Sequence, residues 1–470
     1  MDQRPLRRIL APAAALLTLL TGAGCTAEAV KGVQGAPGAA GLRDPYFPKL
    51  GNGGYDVRHY ALTLDYDPKT GKLTATADIT ARATQNLSAF NLDLHGLTVG
   101  GATVDGAPAA VNRAGDELTL RPRDDLKKGG IFRTVVRYSG SPGLLTDADH
   151  SEEGWLRTAD GAVALGQPTG SMAWFPGNHH PSDKATYDIT VMVPTGLTAV
   201  SNGELRSERP TTDGRRTAFS WHAGQPMASY LATVAIGHYR TKASSPGDGQ
   251  GVPLYTAADT TVAARSEELL ARIPELLAWA KDYFGPYPFT STGAIVERTG
   301  DAGYALETQN RPVFPESSFD APTLVHELAH QWYGDSVTPK TWQDMWLNEG
   351  FATYAEWLYL EDFEDITVGK SFETAFGTDA NWAFPPGEPP SAEEISDPPV
   401  YYRGAMVLHK IRQAVGDDTF FAILEGWPRT HRHGNASTDD FITYVEEVSG
   451  KDLAEVWDVW LYGEDKPAKP

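Results

Sequence analysis

His326, Glu327 and His330 occur together as H-E-L-A-H, and a further glutamate, Glu349, follows His330 after 18 intervening residues. On an α-helix the two histidines of such a pentad lie one turn apart, about 6 Å along the axis and ~40° apart in azimuth, so both imidazoles can face one ion. Glu349 begins a second apolar-periodic segment, N-E-G-F-A-T-Y-A-E-W, and supplies a third ligand if the two helices pack antiparallel. Two histidines and one carboxylate leave a fourth position for water, the pattern of a catalytic rather than a structural zinc site. Glu327, on the same helix, is placed to take that water's proton. The competing reading is two hydrogen-bonded core histidines. It is disfavoured because core histidines rarely stand one turn apart with a carboxylate between them.

The elements that must hold these groups are legible around them. Asp320 is a helix N-cap, Pro322 fits the first turn, and Gly334 is a terminator. Leu324, Val325, Leu328, Ala329 and Trp332 form one apolar arc on the helical wheel, with His326 and His330 just beyond its edge. Thr353, one turn after Glu349, and Asp344 are each read two ways: as groups that orient a ligand, or as a helix-surface hydroxyl and a helix cap.

H-E-L-A-H-Q-W-Y-G-D-S-V followed by W-L-N-E-G-F-A-T-Y resembles the aminopeptidase N-like family of zinc peptidases, the gluzincins, in ligand spacing and in the surrounding aromatic and glycine positions. The resemblance spans about 44–463. It implies an α+β, multidomain chain: an N-terminal antiparallel β domain of saddle-like form, followed by a mainly helical thermolysin-like catalytic domain. It also implies one Zn2+ per chain, peptide substrates with a free N-terminus, and further site residues. In G-Q-P-T-G-S-M-A-W-F-P, Gln167 matches the family position that binds the substrate's α-amine, and a neutral amide there adds no charge. In Y-A-L-E-T, Glu307 matches the glutamate that fixes the N-terminal ammonium, although Tyr304 and Thr308 replace the family's leading glycine and trailing asparagine. In V-Y-Y-R-G-A-M-V-L, Tyr401 matches the tyrosine whose hydroxyl stabilises the oxyanion, with Arg403 where the family has lysine. Many relatives continue into a β-sandwich and a large helical domain that roofs the site, so a more open cleft is expected for this chain.

Composition agrees with a folded enzyme and excludes some partners. With 41% apolar and 21% charged residues the 470-residue chain is ordinary for a globular protein and long enough for two domains. A formal net charge of -21, with no Lys/Arg-rich run after the first residues, argues against nucleic acid as a partner.

Arg4, Arg7 and Arg8 precede an apolar run, Ile9 to Leu20, and then T-G-A-G-C ending at Cys25. That order is a secretory signal, too short for a membrane span. Cys25, the single cysteine, stands where a bacterial lipoprotein would be acylated, though Gly22 replaces the leucine usual three positions earlier. Residues 1–25 are thus read as a signal, with possible membrane attachment through Cys25 or else release. With no second cysteine there is no internal disulfide.

Residues 26–43 are Gly/Ala-rich and read as a flexible tether. Residues 44–242 alternate apolar and polar with turn residues between, as in Tyr55 to Tyr66, Lys72 to Ala83 and Thr186 to Val193, and form the β domain. The Gly/Ser/Pro stretch from Lys242 marks the boundary, and 243–470 form the zinc peptidase domain, helical with a break at Pro274 and a capping box at Ser437 and Asp440. His179 and His180 are read as solvent-exposed loop residues rather than ligands. The functional expectation is a zinc aminopeptidase. The alternatives are a zinc endopeptidase or other small-substrate hydrolase on the same site, and a binding lipoprotein that keeps metal only for stability.

Overall fold

A computed structural model describes residues 35–147, 149–245 and 251–468. The expected signal, Cys25 and the first part of the tether lie outside the described residues.

The alternating segments form strands because alternation puts one face of each into a core. Along Tyr55–Asp67 the residues Val57, Tyr60, Leu62, Leu64 and Tyr66 are buried, and they meet Ile79, Ala77 and Ala75 of Lys72–Ala83 across an antiparallel ladder. The largest sheet has eight strands in the order Glu204–Pro210, Arg216–Ala228, Lys184–Pro194, Tyr55–Asp67, Lys72–Ala83, Ile131–Gly140, Thr98–Val104, Ala107–Pro108. It is antiparallel with one central exception: Tyr55–Asp67 pairs with Lys184–Pro194 in parallel. A parallel pair needs a long crossover. Here the crossover includes Leu144–Thr146, Glu152–Arg157 and Ala162–Leu165, three strands of a second, five-stranded sheet that also holds Val234–Gly237 and Thr198–Ser201.

Two expectations are corrected by the packing of the β domain. Within the expected tether, residues from Gly35 onward are packed: Ala36–Pro37 pairs with Leu87–Asp93, and Gly41 N–H donates to Gly51. The close approach of that backbone to its neighbours is why the segment is rich in glycine; a Cβ at Gly35 would lie 2.5 Å from the Leu87 carbonyl carbon. His179 and His180 are not exposed. His179 packs edge-on against Phe175 and its Nε2 meets the Phe175 carbonyl oxygen, while His180 is held between Ser182 and Asp44.

The change from the β domain to the catalytic domain falls between Gly237, last in the five-stranded sheet, and Tyr239, first in a new one. The new sheet runs Tyr239–Ser244, Leu254–Asp259, Thr292–Glu297, Val313–Pro315, so the expected boundary at Lys242 falls inside its first strand. Helices α1 (Ala263–Ala271) and α2 (Ile273–Phe284) follow the hairpin and are interrupted at Arg272, because Pro274 sits in the first turn of α2. Then come α3 (Ala321–Ala329), α4 (Trp346–Phe363), α5 (Val368–Gly377), α6 (Gly404–Val415), α7 (Asp417–Thr430) and α8 (Thr438–Ser449), the last opened by the Ser437/Asp440 capping box.

The two domains are joined by buried polar contacts beside the helices that carry His326, His330 and Glu349. Lys184 Nζ donates to the carbonyls of Asp335, Ser336 and Gly434, and Asp44 Oδ2 accepts from Trp342 N–H. Arg311 lies over Trp221 and donates to the carbonyls of Ser201 and Gly203. The lysine and arginine satisfy backbone oxygens of the opposite domain and Asp44 satisfies a backbone N–H, so the relative position of the domains is fixed where the cleft opens between them.

Candidate metal centre and peptide cleft

Helix α3 starts where Asp320 Oδ1 accepts from Thr323 N–H, with Pro322 in the first turn. Leu324, Val325, Leu328 and Ala329 are buried on the core side, which aims His326, Glu327 and His330 into the cleft. Helix α4 is preceded by a 3-10 turn, Trp342–Met345, capped by Thr341 and Asp344. Asp344 also accepts from the N–H and hydroxyl of Thr438 at the start of α8, so its role is to cap and to join elements. Thr353 is buried beneath the site with an unpartnered hydroxyl oxygen.

The two helices bring three ligand atoms together. Glu349 Oε2 lies 3.2 Å from His326 Nε2 and 3.4 Å from His330 Nε2. The donor atoms of His326, His330 and Glu349 all fall within 4.8 Å of one another. The far side of each ring is tied: His326 Nδ1 donates to Glu356 Oε1 at 2.6 Å and His330 Nδ1 to the Tyr333 carbonyl at 3.0 Å. A carbonyl only accepts, so the neutral His330 ring carries its proton on Nδ1 and turns the Nε2 lone pair inward. That is the outer arrangement that fixes a metal-ligating histidine, and the donor set fits a divalent cation with nitrogen and oxygen ligands.

The electrostatics are those of anions and imidazoles forced together out of water. Burial pulls His330 down, but facing Glu349 and Glu307 it is raised to about 9. His326 is likewise held well above its usual value, with hydrogen bonds to Glu349 and Glu356 overriding burial. Burial raises Glu349, yet the two histidines outweigh it and bring it to about 2. Glu327 is pushed up to about 8, chiefly by burial, and its Oε2 has no hydrogen-bond partner. A buried, unpartnered carboxylate oxygen is costly to keep charged, and Glu327 turns this one to the cleft.

The cleft around the triad is a cavity of about 470 Å³ lined from both domains. Glu307 is only 3% exposed, and a carboxylate oxygen of it lies within 4.8 Å of a His330 ring nitrogen and a Glu327 carboxylate oxygen. Burial raises its pKa. The Gln167 amide nitrogen, turned toward it, donates to Glu307 Oε1 at 2.8 Å. The Glu307 segment is held along the outer edge of the catalytic sheet, where Leu306 and Val313 exchange two 2.9 Å backbone bonds. Tyr304 donates to the Gln167 carbonyl, and Thr308 turns its hydroxyl back to the Arg311 carbonyl, away from the cleft.

Tyr401 stacks beside His326 with ring centroids 6.0 Å apart and 18° between planes. It is brought there by the contact of α4 with α6, where a Cβ on Gly350 would lie 2.8 Å from the Gly404 carbonyl carbon. Two glycines at the crossing therefore allow the approach. Tyr402 is 43% exposed at the mouth. Arg403 points the other way, over Trp382 and onto the carbonyls of Phe384, Val459 and Trp460.

All seven expected site residues thus line one cavity. Sequence reasoning missed Glu356 and Gln331. Glu356 lies seven residues after Glu349 on the same face of α4, a spacing that would have identified it. Gln331 Nε2 donates to the Glu307 carbonyl and its Oε1 accepts from Asn310 N–H, tying α3 to the sheet-edge segment. Asp147, Asp149, Ser151 and Ser396 also line the cavity from loops, with no local pattern to announce them.

Comparison with known proteins places both domains in one family. Residues 57–231 match the model of the peptidase M1 N-terminal domain and residues 317–460 that of the peptidase family M1 domain. Aminopeptidase 2 of Candida albicans is 26% identical over 440 residues, covering 86% of this chain and 46% of its own. Aminopeptidase N of Streptomyces lividans is 29% identical over 319 residues, covering 61% of this chain and 36% of its own. The chain therefore spans about half the length, or less, of these curated relatives. A crystal structure of a variant M1 zinc metallopeptidase from Deinococcus radiodurans, bound to the substrate Tyr-Ser-Ala, superposes with TM-score 0.84 at 29% identity. It covers 92% of this chain and 100% of that one.

Proposed function

Because the chain belongs to the M1 family of zinc metallopeptidases, we propose that it is an aminopeptidase that removes residues from the free amino end of peptides, with one zinc ion per chain held by His326, His330 and Glu349. Zinc bound there supplies Lewis acidity toward the scissile carbonyl and brings the pKa of a water toward about 7.

The chain's own groups do the rest. Glu327 takes the attacking water's proton and passes it to the leaving amine; its unpartnered Oε2 is the free acceptor this requires. The Tyr401 hydroxyl donates to the carbonyl oxygen as negative charge develops on it. Glu307 receives the substrate's ammonium, and Gln167 orients Glu307 by the amide bond between them.

The observation that carries the exopeptidase reading is the buried Glu307 carboxylate, within one residue's reach of the triad. An extended residue spans about 3.5 Å. An ammonium on Glu307 therefore leaves room for one residue before the bond at the metal. The Deinococcus protein's tripeptide substrate fits the same reading.

The test is product analysis by mass spectrometry on a peptide and its N-acetylated copy. Stepwise loss of N-terminal residues from the free peptide alone supports the proposal; internal cleavage of both would replace it with an endopeptidase. Export directed by residues 1–25, with acylation of Cys25, belongs to the same proposal, and intact mass of the mature N-terminus tests it.

A further inference from the structure

The contacts across the site have a fixed order. The Gln167 amide is 2.8 Å from Glu307, and Glu307 lies within 4.8 Å of Glu327 and His330. His330 and His326 converge on Glu349, and His326 Nδ1 is 2.6 Å from Glu356. Glu356 therefore stands on the side of the triad opposite the amine anchor.

At Glu356 the cleft does not end. Glu356 and Tyr402 also border a second hollow of about 490 Å³, which continues between α4 and α5. Its walls include Trp357 and Leu360 of α4, Ile366 of the connecting turn, and Ser371, Thr374 and Ala375 of α5. Leu360 is one turn from Glu356, and Thr374 and Ala375 are three and four positions from Ser371, so one face of each helix lines the hollow. Thr374 and Thr378 donate their hydroxyls to carbonyls one turn earlier, leaving the α5 wall few free donors. Ile366 is 41% exposed there, a large apolar side chain with little covering it.

We infer that this α4–α5 groove is a subsite for the leaving part of the peptide, taking an apolar side chain two or three residues beyond the scissile bond. The inference rests on the aminopeptidase reading, which sets the direction of the substrate by placing its amine on Glu307. Continuity decides the occupant: a chain running from Glu307 past the triad emerges at Glu356 and Tyr402, where the groove begins. From Glu356 to Leu360 the helix rises about 6 Å, the span of roughly two extended residues. The protein should thus favour oligopeptides over dipeptides and over substrates with a compact leaving group.

The test compares kcat/KM for leucyl-coumarin, Leu-Ala and a Leu-led pentapeptide with phenylalanine at its fourth position, in wild-type protein and in Thr374→Trp. Thr374 is exposed and outside the catalytic machinery, so the indole fills the groove without entering the core. The expected result is a wild-type preference of at least tenfold for the pentapeptide over the dipeptide. Thr374→Trp should lose at least fivefold on the pentapeptide and change less than twofold on leucyl-coumarin. Ser371→Trp is the second variant, and thermal midpoints establish that both are folded.

A wild-type aminopeptidase with no length preference, or a folded pair of variants that keep it, overturns the groove assignment alone. Wild-type protein that releases no N-terminal residue from any of the three substrates overturns the aminopeptidase reading, and this one with it.

Discussion

Replacing Glu356 tests how the metal centre is held. Its carboxylate accepts from His326 Nδ1 at 2.6 Å, with Glu356 side chain 26% and the His326 side chain 11% exposed. A charge-assisted bond of this kind contributes about 1.5–3 kcal/mol, a factor of roughly 10–150 in an equilibrium. Loss of an outer partner of a metal-ligating histidine typically lowers metal affinity by about 10–100-fold. The two ranges overlap, so Glu356→Ala should weaken zinc binding by roughly 10–100-fold. Glu356→Gln keeps an acceptor without the charge and should fall between. The assay is zinc titration against a competing chelator at pH 7.5, with thermal midpoints of the metal-free proteins as a control. Unchanged zinc affinity in a folded Glu356→Ala protein would refute the claim that this carboxylate sets the His326 ring. So would an equal loss from Glu361→Ala, a glutamate further along the same helix.

Three further outcomes are expected. Tyr401→Phe should lower kcat by about 10²–10³ with little change in KM, because the lost donor acts on the developing oxyanion; steady-state kinetics on leucyl-coumarin reads this. Gly350→Ala forces a methyl against the Gly404 backbone and should cost about 1–3 kcal/mol of stability, read by denaturant unfolding. Burial raises Glu297 from 4.5 to about 8, and Tyr239 donates to it. The folded protein thus binds more protons than the unfolded chain between these values. This contribution to stability is present below about 4.5 and is lost as pH rises toward about 8. Glu297→Gln should flatten the fall in thermal midpoint between pH 5 and 8.

The parts of the site legible in the sequence are those set by local periodicity. His326, Glu327 and His330 share one helical turn, Asp320 and Pro322 open that helix, and Glu349 stands in the first turn of the next, so short-range rules placed them. Gln167 and Glu307 have no such pattern around them. Resemblance located them, and only the tertiary fold brings a β-domain loop against a sheet-edge segment of the other domain. Glu356 is set by a helical rule as well, two turns beyond Glu349 on the same helix.

The misreadings have the same cause. Alternation identifies a strand but not the direction of its neighbour, so the parallel pairing of Tyr55–Asp67 with Lys184–Pro194 was invisible. Glycine-rich sequence suggested a tether through residue 43, whereas from Gly35 the glycines let the backbone press onto Leu87 and its neighbours. His179 and His180 do lie in a loop, but they are buried rather than solvent-exposed, because the partners that cover them, Phe175, Ser182 and Asp44, include one over a hundred positions away.

The most direct measurement is an anomalous-difference map collected at the zinc edge from crystals of the zinc-loaded protein. One peak per chain is expected, about 2.0–2.2 Å from His326 Nε2, His330 Nε2 and a Glu349 carboxylate oxygen. No peak, or a peak held by Glu307, Glu327 and His330 instead, would contradict the account, because the base and the amine anchor would then be ligands.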